Sequence, residues 1–334
     1  METGNKRLIN LYILDILQKY TDRNTQLRQC DIIEKLQSEY GIICDRRTVG
    51  RVLDDLNDYF DPFDRKIVHI SGKGYWLQRT FEEWELRMLV DSVLFSKTIS
   101  QQQAKALIKK LQRFASKNFE KKVTHVCNLP SLSHTDNEAV AQVVDVINAA
   151  IEQEKKIQFI FNEMGLDKKL HPKKNEPYVV NPYQMVANNG RFYLIGNMDG
   201  HDNLIHLRID KMTKIEILAA SRKKEEEIPE LAHGKKLDLP KHMAEHIYMF
   251  SGETVPVWIK TQPNRMGDLV DWFGKDFTIE EEKEDYIVIR VKCNESAIRY
   301  WALQYGPNVE VLRPKELRDQ LRKDVENMWQ KYCK

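Results

Sequence analysis

Arg46, Arg47, Thr48 and Arg51 are the first residues in this 334-residue chain whose types and spacing point to a chemistry. Asp45, just ahead of them, is a good helix N-cap because its carboxylate can accept unpaired amides of the first turn. Val49, Val52, Leu53 and Leu56 then recur at three- and four-residue spacing and make one apolar stripe. The arginines and the threonine fall at the leading end, largely off that stripe, while acids fill the later turns. A helix with a buried face and a cationic leading end suits the major groove of DNA. Arginine forks onto guanine edges, and arginine, threonine and helix-end amides hold phosphates. A charged helix face also arises simply from solvation, so the flanking elements must decide between the two readings.

A second set, Arg191, Tyr193, His206 and Arg208, depends on strands to bring it together. Asn189-Gly190 tolerates positive φ at both positions and predicts a hairpin turn. Beyond the turn, Phe192 and Leu194 share one face of a period-two strand, and Arg191 and Tyr193 the other. On the next run Ile205, Leu207 and Ile209 face one way, and His206, Arg208 and Asp210 the other. With the strands in register, Arg191, Tyr193, His206 and Arg208 line one polar, cationic face. Arginine binds phosphate bidentately and tyrosine can stack on a base, so the face suits a phosphate-bearing ligand. The competing reading is that these residues face solvent or form ion pairs with Asp210.

Enzyme signatures are missing from the sequence. There is no Walker loop, dinucleotide glycine fingerprint, His-Glu-x-x-His run or nucleophile elbow. A nuclease using His206 as base would need an acidic metal cluster, which the sequence does not offer. His242 and His246 stand four apart, compatible with one helical turn, but no third metal ligand is evident beside them. Five cysteines (Cys30, Cys44, Cys127, Cys293, Cys333) are scattered without a close pair, which argues against a disulfide frame and a cysteine zinc site. The reading is a non-enzymatic protein without cofactor or metal. Hydrophobic content of 42% with 31% charge fits a soluble globular chain. No apolar run approaches the roughly 20 residues that span a bilayer. Residues 1–7 are polar and lack a signal-peptide core, so a cytoplasmic location is expected. Within residues 1–80, 13 Lys/Arg against 12 Asp/Glu leave +1, so DNA contact would rest on local clustering, not a bulk field.

Several elements must position these residues. Leu8, Leu11, Leu14, Ile16 and Leu17 predict a helix over 6–20, and Ile32, Ile33 and Leu36 a second over 27–40, stopped by Gly41. With the helix after Asp45 this is helix-turn-helix order. Asp61-Pro62-Phe63 reads as a turn, and 66–70 and 75–77 as strands around a Ser71-Gly72-Lys73-Gly74 tip. Residues 1–80 therefore read as a winged helix-turn-helix with Lys73 at its tip, a module that binds DNA and in other settings contacts only protein. Residues 81–136 read as a helical linker. Trp84, Leu86, Leu89, Val90, Val93 and Leu94 line one helix, and Ser100 caps another carrying Ala104, Leu107, Ile108, Leu111 and Phe114. A polar loop over 117–136, broken by Pro130, follows. Packing struts and a dimerisation surface both fit these helices. Residues 137–220 give a helix and then short strands at 157–161, 178–180, 184–187, 191–196 and 204–210, expected to form a small bent sheet or barrel.

The run of polar cap, basic pair, Thr-Val, Arg and Leu from Asp45 to Leu56 resembles the winged helices of DeoR- and BirA-type regulators. Pro182-Tyr183, Asn189-Gly190-Arg191-Phe192-Tyr193-Leu194 and His206-Leu207-Arg208-Ile209-Asp210-Lys211 resemble the WYL domain, named for a Trp-Tyr-Leu triplet in which Phe192 here replaces the tryptophan as an inward aromatic. Gly306-Pro307, Val309-Glu310-Val311-Leu312, Pro314 and Leu317 resemble the WCX-type extension that follows such domains. The resemblance implies a winged helix, a helical linker, a WYL domain with a small Sm- or SH3-like β-barrel, and a C-terminal extension. Bacterial members are transcription regulators, commonly dimeric, whose WYL domain is thought to sense nucleotide or nucleic-acid ligands. By that resemblance Tyr193, His206 and Arg208 become ligand-site candidates, and Arg191 joins them on the facing pattern above.

In the C-terminal part, the charge run 221–227 reads as a solvated linker. Residues 255–260 read as an edge-type strand because of Pro256. A helix near 265–273, strands at 286–291 and 309–312, a helix over 295–304 and a final helix from Pro314 complete a β-α-β-β-α-β order, a ferredoxin-like α+β unit over 236–334. The expected whole is an α+β multidomain chain. Its expected function is a ligand-responsive regulator, a homodimer binding double-stranded operator DNA through Arg46, Arg47, Thr48, Arg51 and Lys73. A nucleotide or single-stranded nucleic acid would bind Arg191, Tyr193, His206 and Arg208. The alternative is an RNA-binding or protein-interaction adaptor using the winged helix as a contact module.

Overall fold

The computed structural model describes residues 5–60, 66–117, 119, 137, 139–229, 231 and 237–333. The expected turn at Asp61-Pro62-Phe63, most of the loop over 117–136, and Cys127 lie outside the described residues. Contacts divide the chain into two units, Met1–Asp136 and Asn137–Lys334.

The first unit opens with α1 (Ile9–Tyr20), α2 (Gln29–Tyr40) and α3 (Arg46–Phe60). Helical spacing puts Ile13, Ile16 and Leu17 of α1, Ile32 and Leu36 of α2, and Val49, Val52, Leu53, Leu56 and Phe60 of α3 on their inner faces. These merge into one core with Ile67 and Leu77. Gly41 ends α2 in the left-handed conformation, at φ 63°. Asp45 accepts the Thr48 amide at 2.7 Å, the N-cap expected of it. Strands β1 (Ile67–Ile70) and β2 (Gly74–Leu77) pair antiparallel around the 71–73 tip. Leu27 and Tyr75 exchange backbone hydrogen bonds of 2.9 and 2.7 Å, bridging β2 to the segment before α2. Gly74 permits that approach. It sits at φ 125°, and a Cβ there would lie 2.4 Å from the Leu27 carbonyl oxygen.

Two further helices follow, α4 (Glu83–Phe95) and α5 (Gln101–Gln112). Ser100 caps α5 as expected, its hydroxyl accepting the Gln103 amide at 3.2 Å. The segment beyond α5 is tied to the first three helices. Arg79 donates to the carbonyls of Gln18, Thr21 (2.8 Å) and Phe114 (3.2 Å), and Ser116 donates to Asp22 at 2.9 Å.

In the second unit α6 (Val140–Glu152) lies on a six-stranded antiparallel sheet. Its strands are β3 (Lys155–Met164), β4 (Leu170–Pro172), β5 (Tyr178–Asn188), β6 (Arg191–Met198), β7 (Leu204–Arg208) and β8 (Met212–Ser221), in the order β4-β3-β5-β6-β7 with β8 paired to β3. Val140, Val143, Ile147 and Ala150 of α6 pack on Ile157, Phe159, Val180, Leu194 and Met212. Asn189 and Gly190, at φ 49° and 76°, make the expected hairpin turn. Tyr178–Val180 and Gln184–Ala187, expected as separate strands, are one strand with a register shift between Pro182 and Gln184, where proline has no amide for the ladder. The sheet bends without closing. Among the described residues β7 pairs only with β6 and β8 only with β3, so the expected closed barrel is not formed.

A short helix, α7 (Leu239–Glu245), leads to the last layer. There β9 (Thr254–Thr261), α8 (Met266–Phe273), β10 (Thr278–Glu282), β11 (Ile287–Asn294), α9 (Glu295–Gln304), β12 (Val309–Arg313) and α10 (Lys315–Tyr332) follow the β-α-β-β-α-β order. The antiparallel strand order β10-β11-β9-β12 is ferredoxin-like. Val257, Ile259, Ile289, Val291 and Cys293 form the sheet side of its core, with Phe273, Ile298, Trp301 and Leu317 from the helices. Contrary to the edge-strand expectation, β9 is central. Pro256 is tolerated because β12 reaches only Trp258–Thr261, so the missing amide breaks no rung on that side. The 221–227 run is likewise no free linker. Lys223 donates its amide to Asn181 at 2.9 Å, the Tyr183 hydroxyl donates to the Lys223 carbonyl at 3.1 Å, and the Arg222 guanidinium sits 4.8 Å from the Tyr183 ring.

Candidate nucleic-acid interface and anion site

At the leading end of α3, Arg46, Arg47 and Arg51 are exposed and Thr48 is half-buried. Among the described residues none of the three arginines enters an ion pair. The opposite face, Val49, Val52, Leu53 and Leu56, is buried, so the helix cannot roll its arginines inward without exposing its core. Asp54, Asp55 and Asp58 are exposed further along, which confines the positive charge to the first turns. The Asp45 carboxylate is held below its usual range chiefly by the Thr48 amide, so the cap stays ionised at neutral pH. Lys73 is exposed at the tip between β1 and β2. Sequence reasoning passed over Gln29, whose amide nitrogen would stand 3.3 Å from a Cβ at Gly50. The glycine lets the start of α2 reach the start of α3.

The second set divides. Tyr193 pairs with Arg208 across β6 and β7, and Leu194 with Leu207, which is the register needed for a common polar face. At one end of that face, Arg191 Nη1 stands 2.8 Å from Asp210 Oδ2, while Arg208 donates Nε to Oδ1 at 3.0 Å and Nη2 to Oδ2 at 2.7 Å. Asp210 is only 3% exposed, whereas the Arg191 and Arg208 side chains are 25% and 31% exposed. A buried carboxylate therefore holds two guanidiniums whose side chains stay partly exposed. Asp210 is itself fixed by the turn Ile209–Lys211, where buried Asn137 donates to the Asp210 and Met212 carbonyls at 3.1 and 2.9 Å. Burial pushes the Tyr193 phenol up, so it stays protonated and can donate.

His206 leaves this group. Its ring turns to α7, with Nε2 2.7 Å from His242 Nε2, and its backbone amide donates to the Ser251 hydroxyl at 2.9 Å. Burial, then the charges of His246 and His242, hold its pKa at about 3, so it adds no positive charge at neutral pH. Lys211 is the residue missed. It ends the turn that carries Asp210, its Nζ stands 5.8 Å from the centre of the Phe161 ring, and burial and then the charge of Arg208 hold it below the usual lysine range. Its place next to Asp210 in sequence was the available signal. Phe192, expected inward beside Leu194, is 40% exposed, because it lies one residue from the end of β6 at the hairpin, where the core under the sheet runs out.

Residues 142–217 match the model of the WYL domain, and residues 253–329 that of the WCX domain. The chain carries a WYL domain followed by a WCX domain. Arg191, Tyr193, Arg208, Asp210 and Lys211 all lie within the WYL domain, and α7 lies between the two domains. A search of curated proteins finds no match. Among solved structures the chain is similar to proteasome accessory factor B/C (PafBC) of Arthrobacter aurescens, at 13% identity and TM-score 0.31, over 97% of this chain and 48% of that one. It thus spans about half the length of PafBC. It is also similar to a CRISPR Cas-related protein, at 12% identity and TM-score 0.39, over 99% of this chain and 87% of that one.

Proposed function

We propose that this WYL-domain protein is a ligand-responsive, DNA-binding transcription regulator. One observation carries the reading: three exposed arginines, outside any ion pair among the described residues, lead a helix whose other face is committed to the core. In this reading residues 1–80 are a winged helix-turn-helix. Arg46, Arg47 and Arg51 contact bases and phosphates in the major groove, Thr48 holds a phosphate, and Lys73 reaches the neighbouring backbone. Residues 81–136 relay between that module and the WYL domain of 137–220, with the WCX extension over 236–334. Arg191, Tyr193 and Arg208, with Lys211 added, bind a phosphate-bearing ligand, a nucleotide or a short single-stranded nucleic acid. A homodimer would read two half-sites, and the ligand would favour one dimer geometry over the other.

The test is capture and sequencing of genomic fragments by the purified protein, followed by band shifts of the enriched fragment with and without nucleotides. The expected result is a specific duplex site whose occupancy changes with ligand, a response lost in Arg208→Ala while DNA binding persists. Binding to RNA but to no duplex, or to neither, would overturn the reading in favour of an adaptor.

A further inference from the structure

The histidine that left the anion site joins two others. His242 on α7 and His246, its C-terminal cap, are 8% and 4% exposed, and His206 reaches them from β7 of the WYL sheet. Ring centroids stand 4.3 Å apart for His242 and His246, 4.9 Å for His206 and His246, and 5.0 Å for His206 and His242. Each imidazole therefore touches the other two. Packing three polar rings together is costly unless their nitrogens are satisfied.

The outer nitrogens are satisfied in a particular way. His246 Nδ1 lies 3.0 Å from the Phe250 carbonyl oxygen, which can only accept, so in the neutral ring Nδ1 carries the hydrogen and Nε2 the lone pair. His206 Nδ1 lies 3.4 Å from the Ser251 hydroxyl. Metal-ligating histidines are commonly held this way, with the second ring nitrogen on a backbone carbonyl or another polar partner and the first left for the ion.

We infer that His206, His242 and His246 together form a binding site for a transition-metal ion of the zinc class, clamping strand β7 of the WYL domain to the segment that enters the WCX domain. Among the described residues no three donor atoms already stand around a common point. For the His206–His242 pair the shortfall is small. His206 and His242 share a hydrogen between nitrogens 2.7 Å apart. Two nitrogens on a tetrahedral zinc, bonded at about 2.0–2.1 Å, stand about 3.3 Å apart. The ion would take the place of that hydrogen, which moves to Nδ1 of the same ring so that the imidazole stays neutral, with a widening of roughly 0.6 Å between the two nitrogens. Imidazole suits zinc, copper, nickel and iron, and three protein nitrogens leave a fourth position for water or an incoming ligand. The inference does not depend on DNA binding or on the arginine site.

The test uses the full chain, stripped with chelator and titrated with Zn(II) against a chromophoric competitor, then with Co(II). One ion per chain is expected, and the Co(II) complex should show visible bands of nitrogen ligation without a thiolate charge-transfer band, which separates this site from the cysteines. His206→Gln and His242→Ala should each weaken Zn(II) binding by more than the ~10–100-fold typical of losing a supporting partner, while His201→Ala, on an exposed turn, keeps full affinity. Circular dichroism of each variant controls for folding, and the wild-type Co(II) spectrum decides even if a variant unfolds. No stoichiometric binding by the wild type, a thiolate band, or undiminished affinity in both folded histidine variants would each overturn the inference and leave the cluster as polar packing.

Discussion

Replacing Asp210 by alanine tests how the anion site is built. The carboxylate receives three charge-assisted hydrogen bonds from Arg191 and Arg208, at 2.7 to 3.0 Å, and is almost wholly buried. Removing one partner of a buried pair costs about 3–5 kcal/mol, chiefly because a charge is left uncompensated. Here both arginines keep a quarter or more of their side chains in water and can partly rehydrate, so about 2–3 kcal/mol is expected. For a unit of this size that lowers the melting temperature by about 4–12 °C. Thermal unfolding by circular dichroism reads it, with Asp202→Ala, an exposed carboxylate 3.3 Å from Lys223, as a control staying near wild type. Nucleotide binding should weaken at least ~10-fold in the same variant, because the guanidiniums lose the group that aims them, the equivalent of about 1.4 kcal/mol. A melting temperature within a degree of wild type would refute the burial reasoning. Tighter binding would show Asp210 to compete for the arginines, not to position them.

Two further outcomes follow from the fold. Gly74→Ala should destabilise the first unit by at least ~2 kcal/mol in urea unfolding, since the side chain would strike the Leu27 carbonyl at a φ of 125°; a cost below ~0.5 kcal/mol would contradict the close approach of β2 to that segment. Cys293 is buried, and burial pushes its thiol from 9.0 up to about 12. The unfolded chain loses that proton first, so the stability this thiol contributes is present below pH 9 and is lost as pH rises from 9 towards 12. Alkylation at pH 8, resolved by mass spectrometry, should modify exposed Cys333 at once and Cys293 only in denaturant; comparable rates would contradict the burial of β11.

Much of the fold was legible in short-range pattern. The stripe of Val49, Val52, Leu53 and Leu56, the Asp45 cap, the Gly41 stop and the Asn189-Gly190 turn each follow from local conformational preference, and each element stands where those signals put it. The face shared by Tyr193 and Arg208 followed from strand period and turn type. What local pattern could not carry was choice of partner. Asp210 was named as a competitor for the arginines, but its burial depends on Asn137, 73 residues away, holding the turn beneath it. His206 meets His242 across 36 residues, through a helix whose docking no period reveals. Pro256 misled because proline usually marks an edge, whereas here a short β12 leaves its flank unpaired inside a central strand. Phe192 kept the expected strand phase but stands beyond the end of the core that phase alone would assign to it.

The central claim is that α3 meets DNA through its leading arginines. Fluorescence anisotropy with a captured genomic duplex, for wild type and Arg46→Ala/Arg47→Ala at several salt concentrations, tests it directly. Both side chains are exposed, so the double variant should fold normally, yet lose on the order of 100-fold or more in affinity and flatten the log-affinity against log-salt slope by about 2. An unchanged affinity with an unchanged slope would contradict it.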